Sequence, residues 1–316
     1  MAKYFSGLHT VMEILREVIG LPRRNKKIFL FIILSTLIPY SLLIFATIYS
    51  LTTIITDLSM NAIPLVGMNP KSAQYVKQFF MMKEDFMLII LVEIIFFLLM
   101  SAVSLFSMVA TIHVSAMSYL ERDLTLKELS LKLKKNWIRP MITWFYFTLM
   151  SAGYLVVVLP LYVLLVLNKG SVAVVAIGIV LFLLVIFLNI YLVIIWMLSL
   201  VISVLEDCYG LQALGKGEQL MKGRKGVGFG LTFISVILLG ANAFVAMISK
   251  HHQTVTVRFS VMYIMLTLAI LVKILSMMMY TIFYFDCKQC HGEHVEIEEN
   301  MEYSKVFTKF DDTALP

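Results

Sequence analysis

Charge is scarce in this chain. Only 15% of its 316 residues are Asp, Glu, Lys or Arg, against about 25% in soluble domains. Three cysteines, Cys208, Cys287 and Cys290, are too few for a disulfide framework. No Asn-x-Ser/Thr sequon occurs, so glycosylation offers no clue to sidedness. The glycines at 226, 228 and 230 have no Gly-Lys-Ser/Thr after them and no strand before them, which removes phosphate-loop chemistry. Metalloprotease, nucleophile-elbow and histidine-box patterns are also missing. What remains is apolar, with 60% of residues hydrophobic. One globular core cannot hide that much apolar surface from water. An ordinary cytosolic enzyme, a disordered chain and a disulfide-rich secreted module are therefore excluded.

A membrane span needs about 20 apolar residues to cross a hydrocarbon core of about 30 Å. Six runs qualify, at 28–55, 86–112, 141–167, 171–205, 227–248 and 259–285. They lack the polar/apolar alternation of a barrel strand, so helices must satisfy their backbone groups in lipid. The expected fold class is all-α: a polytopic helical membrane domain over 1–285, followed by an acidic tail at 286–316. The first run is too long for a signal-peptide core and reads as an uncleaved span. Nineteen Lys and Arg residues fall on one side of this map and six on the other, with Lys273 inside a span. The basic excess predicts that both termini face the cytosol.

An amphipathic segment precedes each odd-numbered span. The first carries Leu8, Val11, Met12, Leu15, Val18 and Ile19 at helical spacing. The second carries Leu126, Leu129, Leu133 and Trp137, and Thr125 and Glu128 have the spacing of a capping box. The third has a weaker stripe of Leu211, Leu214 and Met221, where Gly215, Gly217 and Gly223 argue against a continuous helix. The second and third segments align at an offset of 85, with Glu121 on Glu206 and Arg139 on Arg224. A threefold repeat of an interfacial helix plus a two-span hairpin is the expected organisation. Such helices lie in the headgroup plane. The basic cluster Lys127, Lys132, Lys134 and Lys135 predicts contact with anionic headgroups of the cytosolic leaflet.

Three stretches carry a resemblance: Arg16–Ile19 with Arg23–Phe29, Val204–Leu214 leading into Lys222–Arg224, and Phe285–Lys288 with His291, Glu293 and His294. Together they resemble a plant family of uncharacterised six-pass integral membrane proteins. More distantly the arrangement is similar to membrane domains of bacterial glycerophosphodiester phosphodiesterases, without the catalytic barrel. The resemblance implies a helical membrane protein and hardly any established chemistry.

Several residues invite a functional reading. Ionisable side chains are costly in lipid, which singles out Glu93 in the second span and Lys273 in the sixth as a candidate pair. Cys287, Cys290, His291 and His294 could supply four zinc ligands, though the spacing is cramped. Reversible palmitoylation of a juxtamembrane cysteine is favoured over zinc, and plain reduced thiols at a helix end are the leading reading of the pair. Haem attachment at Cys287-x-x-Cys290-His291 is rejected, because it belongs to a different compartment. Asn189 and Asn242 read as hydrogen-bonding links between helices. Gly226, Gly228 and Gly230 read as a site of close helix packing.

No catalytic constellation, cofactor site or nucleic-acid surface is expected. The leading expectation is a non-enzymatic membrane protein of the endomembrane system or plasma membrane, acting through helix packing, lipid contact or partner recruitment. A transporter or channel is second, and a membrane-embedded lipid-modifying enzyme third. A polar cavity reaching the bilayer midplane would favour transport.

Overall fold

The computed structural model describes residues 2–62, 72–122, 125–167, 172–248 and 255–291, and every regular element among them is an α-helix. In chain order these are α1 (Ala2–Arg24), α2 (Lys26–Ala62), α3 (Ala73–Tyr119), α4 (Leu126–Asn136), α5 (Ile138–Leu167), α6 (Val172–Leu205), α7 (Leu211–Met221), α8 (Lys225–Ile248) and α9 (Val255–Cys290). Six of them (α2, α3, α5, α6, α8 and α9) are long and apolar enough to cross a membrane. The chain is thus an all-α, multi-pass membrane protein. The helices overrun the spans expected from hydropathy. Hydropathy stops at the first polar residue, whereas a helix continues wherever its backbone is hydrogen-bonded. The 47 residues of α3 reach about 70 Å, more than twice the hydrocarbon thickness. The connection between the first two expected spans is in part a helical extension of α2 and α3. The tail beyond His291 lies outside the described residues, and α9 itself runs past the expected end of the last span to Cys290.

The short helices follow one pattern. Each leads into a span after a brief break: Asn25 between α1 and α2, Trp137 between α4 and α5, and Lys222–Arg224 between α7 and α8. The span that follows (α2, α5 or α8) is paired with a returning one (α3, α6 or α9), which gives three units of three helices. The returning helices α3, α6 and α9 touch one another at the centre. Each short helix packs on the returning helix of the preceding unit: α4 on α3, α7 on α6 and, closing the ring, α1 on α9. The three units are therefore related as a cyclic, threefold-like assembly.

The core sits where the short helices lie, called here the basal end. Ile112, Val114, Leu198, Ile202, Phe283 and Tyr284 are buried there. Toward the far end the spans expose Leu98, Leu184, Phe244 and Ile264, as side chains facing acyl chains should.

Local chemistry explains the basal helices. Thr125 and Glu128 form the reciprocal capping box that their spacing predicts. In α1 the buried stripe is Val11, Ile14, Val18 and Leu21, while Met12 and Ile19 are exposed. The sequence stripe was therefore rotated toward the wrong edge of a broad apolar face. The glycines do not interrupt α7, which is continuous. Gly217 instead lets α7 lie against α6, because a Cβ there would stand 2.7 Å from Ser199 Oγ and 3.3 Å from the Ile195 carbonyl. Gly210 begins α7 at φ +61°, a backbone conformation favouring glycine, and its N–H donates to Thr143 Oγ1 at 2.9 Å. Gly228 and Gly230 provide the close packing expected of them, against Ile194 and Phe283 and against Val11, whereas Gly226 has nothing within 4 Å of its absent Cβ.

Candidate functional site

Three arginines recur at one position in the three units. Arg24 ends α1, Arg139 opens α5 and Arg224 precedes α8. Each reaches a carboxylate just beyond or at the end of its own unit's returning helix. Arg24 meets Glu121 at 3.5 Å, Arg139 pairs with Asp207, and Arg224 meets Asp286 at 3.4 Å. Each unit is thus clasped across its basal end. Arg24 also donates to the Ser118 carbonyl at 3.1 Å, and Asn25 to the Ser118 hydroxyl at 2.9 Å. The offset of 85 had matched Arg139 to Arg224, but it set Glu121 on Glu206, one residue short of the carboxylate that makes the clasp.

Glu206 serves a different network. Lys216 of α7 lies 2.7 Å from its carboxylate and Lys288 of α9 2.8 Å, and the Tyr284 hydroxyl donates to it as well. Its side chain is only 14% exposed. Burial pushes the Glu206 carboxyl up, but the hydrogen bonds from Lys216, Lys288 and Tyr284 outweigh it and hold the group below its usual range. This ionic layer ties α6, α7 and α9 together.

A lateral groove opens where unit one meets unit two. Its volume is about 600 Å³ and its lining is almost wholly apolar. Helix α3 supplies Leu98, Ala102, Leu105 and Val109; α2 supplies Phe31 and α5 supplies Met141 and Trp144. The basal end is closed by α4, whose stripe residues Leu126, Leu129, Leu133 and Trp137 all border it, together with Ser130 and Lys134. The stripe read from sequence is therefore half core and half groove: Leu129 and Leu133 are buried, while Leu126 and Trp137 are exposed. Lys127 and Lys134 are exposed and Lys132 is half-buried. The side chain of Lys135 lies outside the described residues.

The candidate intramembrane pair is not brought together. The Lys273 ammonium donates to the Ser104 hydroxyl and lies 5.8 Å from the Tyr40 ring centre. Glu93 is exposed, eleven residues before Ser104 on the same helix, hence about 16 Å away along the axis. Of the cysteine candidates, Cys287 is buried and Cys290 is exposed. The Cys290 sulfur accepts from the Arg224 guanidinium at 2.8 and 3.0 Å, and His291 Nδ1 lies 2.9 Å from the Cys287 carbonyl. Among the described residues no three His, Cys, Asp or Glu converge as metal ligands, and His294 lies outside them. The two asparagines link helices as expected: Asn242 donates to the Met265 carbonyl at 3.2 Å, and Asn189 meets the Tyr154 phenol.

The clasps, the Glu206 network and the groove were not found by sequence reasoning. Recurrence of Arg139 at Arg224 was the available signal for the clasps. No sequence signal marked the groove, which comes from how far α4 stands from its neighbours.

Residues 7–309 match a family described as a domain of unknown function (DUF8558), and the chain belongs to that family. No curated protein and no solved structure matches it.

Proposed function

We propose that the protein is a non-enzymatic integral membrane protein that acts through lipid contact at the cytosolic leaflet. In this reading the basal end and both termini face the cytosol, in the endomembrane system or plasma membrane. The basic asymmetry of the sequence supports that orientation. The three stretches resembling six-pass plant membrane proteins support a place among them. The observation that carries the lipid reading is α4, a capped amphipathic helix that shows lysines outward and borders an apolar groove. Such a helix favours an anionic surface electrostatically and an acyl layer hydrophobically.

The test is purification of the full chain from native membranes with identification of the lipids that accompany it. Each lysine near an anionic surface contributes on the order of 1 kcal/mol. The triple change Lys127→Gln, Lys132→Gln, Lys134→Gln is expected to lower anionic-lipid recovery roughly tenfold or more. Recovery of lipids in the proportions of the surrounding membrane, from both proteins, would end the reading.

A transporter or channel is the second reading, favoured by Lys273 held inside the bundle on Ser104. Solute flux through the reconstituted protein, abolished by Lys273→Met, would decide for it.

A further inference from the structure

Among the three junctions between units, the one at α4 is built loosely. At the other two, the short helix is seated deeply. Helix α7 buries Ala213, Gly217, Leu220 and Met221, and α1 buries Val11, Ile14, Val18 and Leu21. Both junctions use a glycine to bring helices close, Gly217 and Gly230. Among the described side chains of α4 only Leu129 and Leu133 are buried. The space left among α2, α3, α4 and α5 is the groove, and its shape limits what can fill it. From Val109 to Leu98 it follows α3 for eleven residues, about 16 Å. That depth is about half a hydrocarbon core of about 30 Å, the thickness of one leaflet. Its volume of about 600 Å³ lies within the usual range of small-molecule sites. The apolar wall follows α3 away from the basal end, while Ser130 and Lys134 of α4 stand at the basal mouth.

From this geometry we infer that the groove is a site for one anionic glycerophospholipid of the cytosolic leaflet. One acyl chain lies along α3, and the headgroup phosphate sits against Lys134 and Ser130. Charge complementarity selects the headgroup, because the cytosolic leaflet carries the anionic lipids. A second groove, between α6 and α8, is also apolar and measures about 710 Å³. It lacks this pairing: Lys225 lies over the Tyr191 ring, and no short helix lines it. The inference rests on the lipid reading above and adds a defined site to it.

Tryptophan emission reads the site directly. Trp137 and Trp144 border the groove, whereas Trp196 is buried against Phe147. The full chain is reconstituted in phosphatidylcholine vesicles containing a small, fixed fraction of dibrominated phosphatidylserine or, in parallel, dibrominated phosphatidylcholine. The expected result is at least twofold stronger quenching by the serine lipid at equal mole fraction. Ala102→Phe, which fills the groove from an exposed position, should abolish the preference, as should Lys134→Gln. Equal quenching by the two lipids overturns the inference. So does a preference that survives Ala102→Phe, since the lipid would then bind the outer face of α4. Either result leaves lipid recovery on native purification free to succeed, so failure of the groove is distinguishable from failure of the broader reading. Thermal stability of Ala102→Phe close to that of the wild type confirms that loss of preference is not loss of fold.

Discussion

Replacing Glu206 by glutamine is expected to lower thermal stability in detergent by about 6 °C at pH 7. The carboxylate is the shared acceptor for Lys216, Lys288 and the Tyr284 hydroxyl. Removing it leaves two ammonium groups facing each other, one of them on a side chain only 11% exposed. Breaking a buried pair from one side costs about 3–5 kcal/mol. Lys216 is partly solvated, so the lower end, about 3 kcal/mol, applies. For a chain of this size each kcal/mol corresponds to about 2 °C. The pH dependence identifies the cause. The folded-state pKa of Glu206 is depressed, so its stabilising contribution is complete above the ordinary carboxylate pKa of about 4.3. That contribution is lost as pH falls through the still lower folded value. The gap between wild type and Glu206→Gln should therefore be constant from pH 6 to 8 and narrow below about pH 4.3. A gap that stays constant as the pH falls well below that value would mean that packing, not charge, accounts for the loss.

The second large effect belongs to Gly217. A leucine there places its Cβ 2.7 Å from Ser199 Oγ and 3.3 Å from the Ile195 carbonyl. The backbone of α6 cannot yield as a side chain can. Overpacking of this kind costs about 1–3 kcal/mol, and the longer side chain puts Gly217→Leu at the upper end. Gly217→Ala should be milder, and Ser199→Ala should recover part of its loss by removing the nearer atom. Gly215 provides the contrast. Nothing stands within 4 Å of its absent Cβ, so Gly215→Ala is expected to stabilise α7 by up to about 1 kcal/mol through helix propensity. Thermal melts of the four variants measure this. Equal effects at 215 and 217 would contradict the close approach of α7 to α6.

These two positions show where the sequence was readable. Apolar run length gave the six spans, and the Thr125–Glu128 spacing gave the start of α4, because both are local properties. Gly215 and Gly217 look alike in sequence, two helix-weakening residues two apart. Only the position of Ser199, on another helix, distinguishes them. The stripe of α1 was misplaced for a related reason. Met12 and Ile19 are as apolar as Ile14 and Leu21, and periodicity cannot say which edge of a wide face meets α8 and α9. Glu93 and Lys273 do not meet because Ser104, not Glu93, stands at the level of Lys273, a relation between two helices that charge and run length do not encode. The groove itself was not legible, since it is a gap among four helices that no residue encodes alone. Its borders were nonetheless present as the stripe of α4, read as a face for the headgroup plane.

The account depends on α4 lying at the cytosolic leaflet, and sidedness of one residue tests that most directly. Ser130 is exposed on α4 and borders the groove mouth. With Cys208, Cys287 and Cys290 replaced by serine, a Ser130→Cys protein is treated in sealed vesicles of known orientation with a membrane-impermeant thiol reagent. Labelling from the cytosolic side alone is the predicted result. Labelling from the opposite side would place the basic end of the bundle away from the anionic leaflet and contradict the lipid reading.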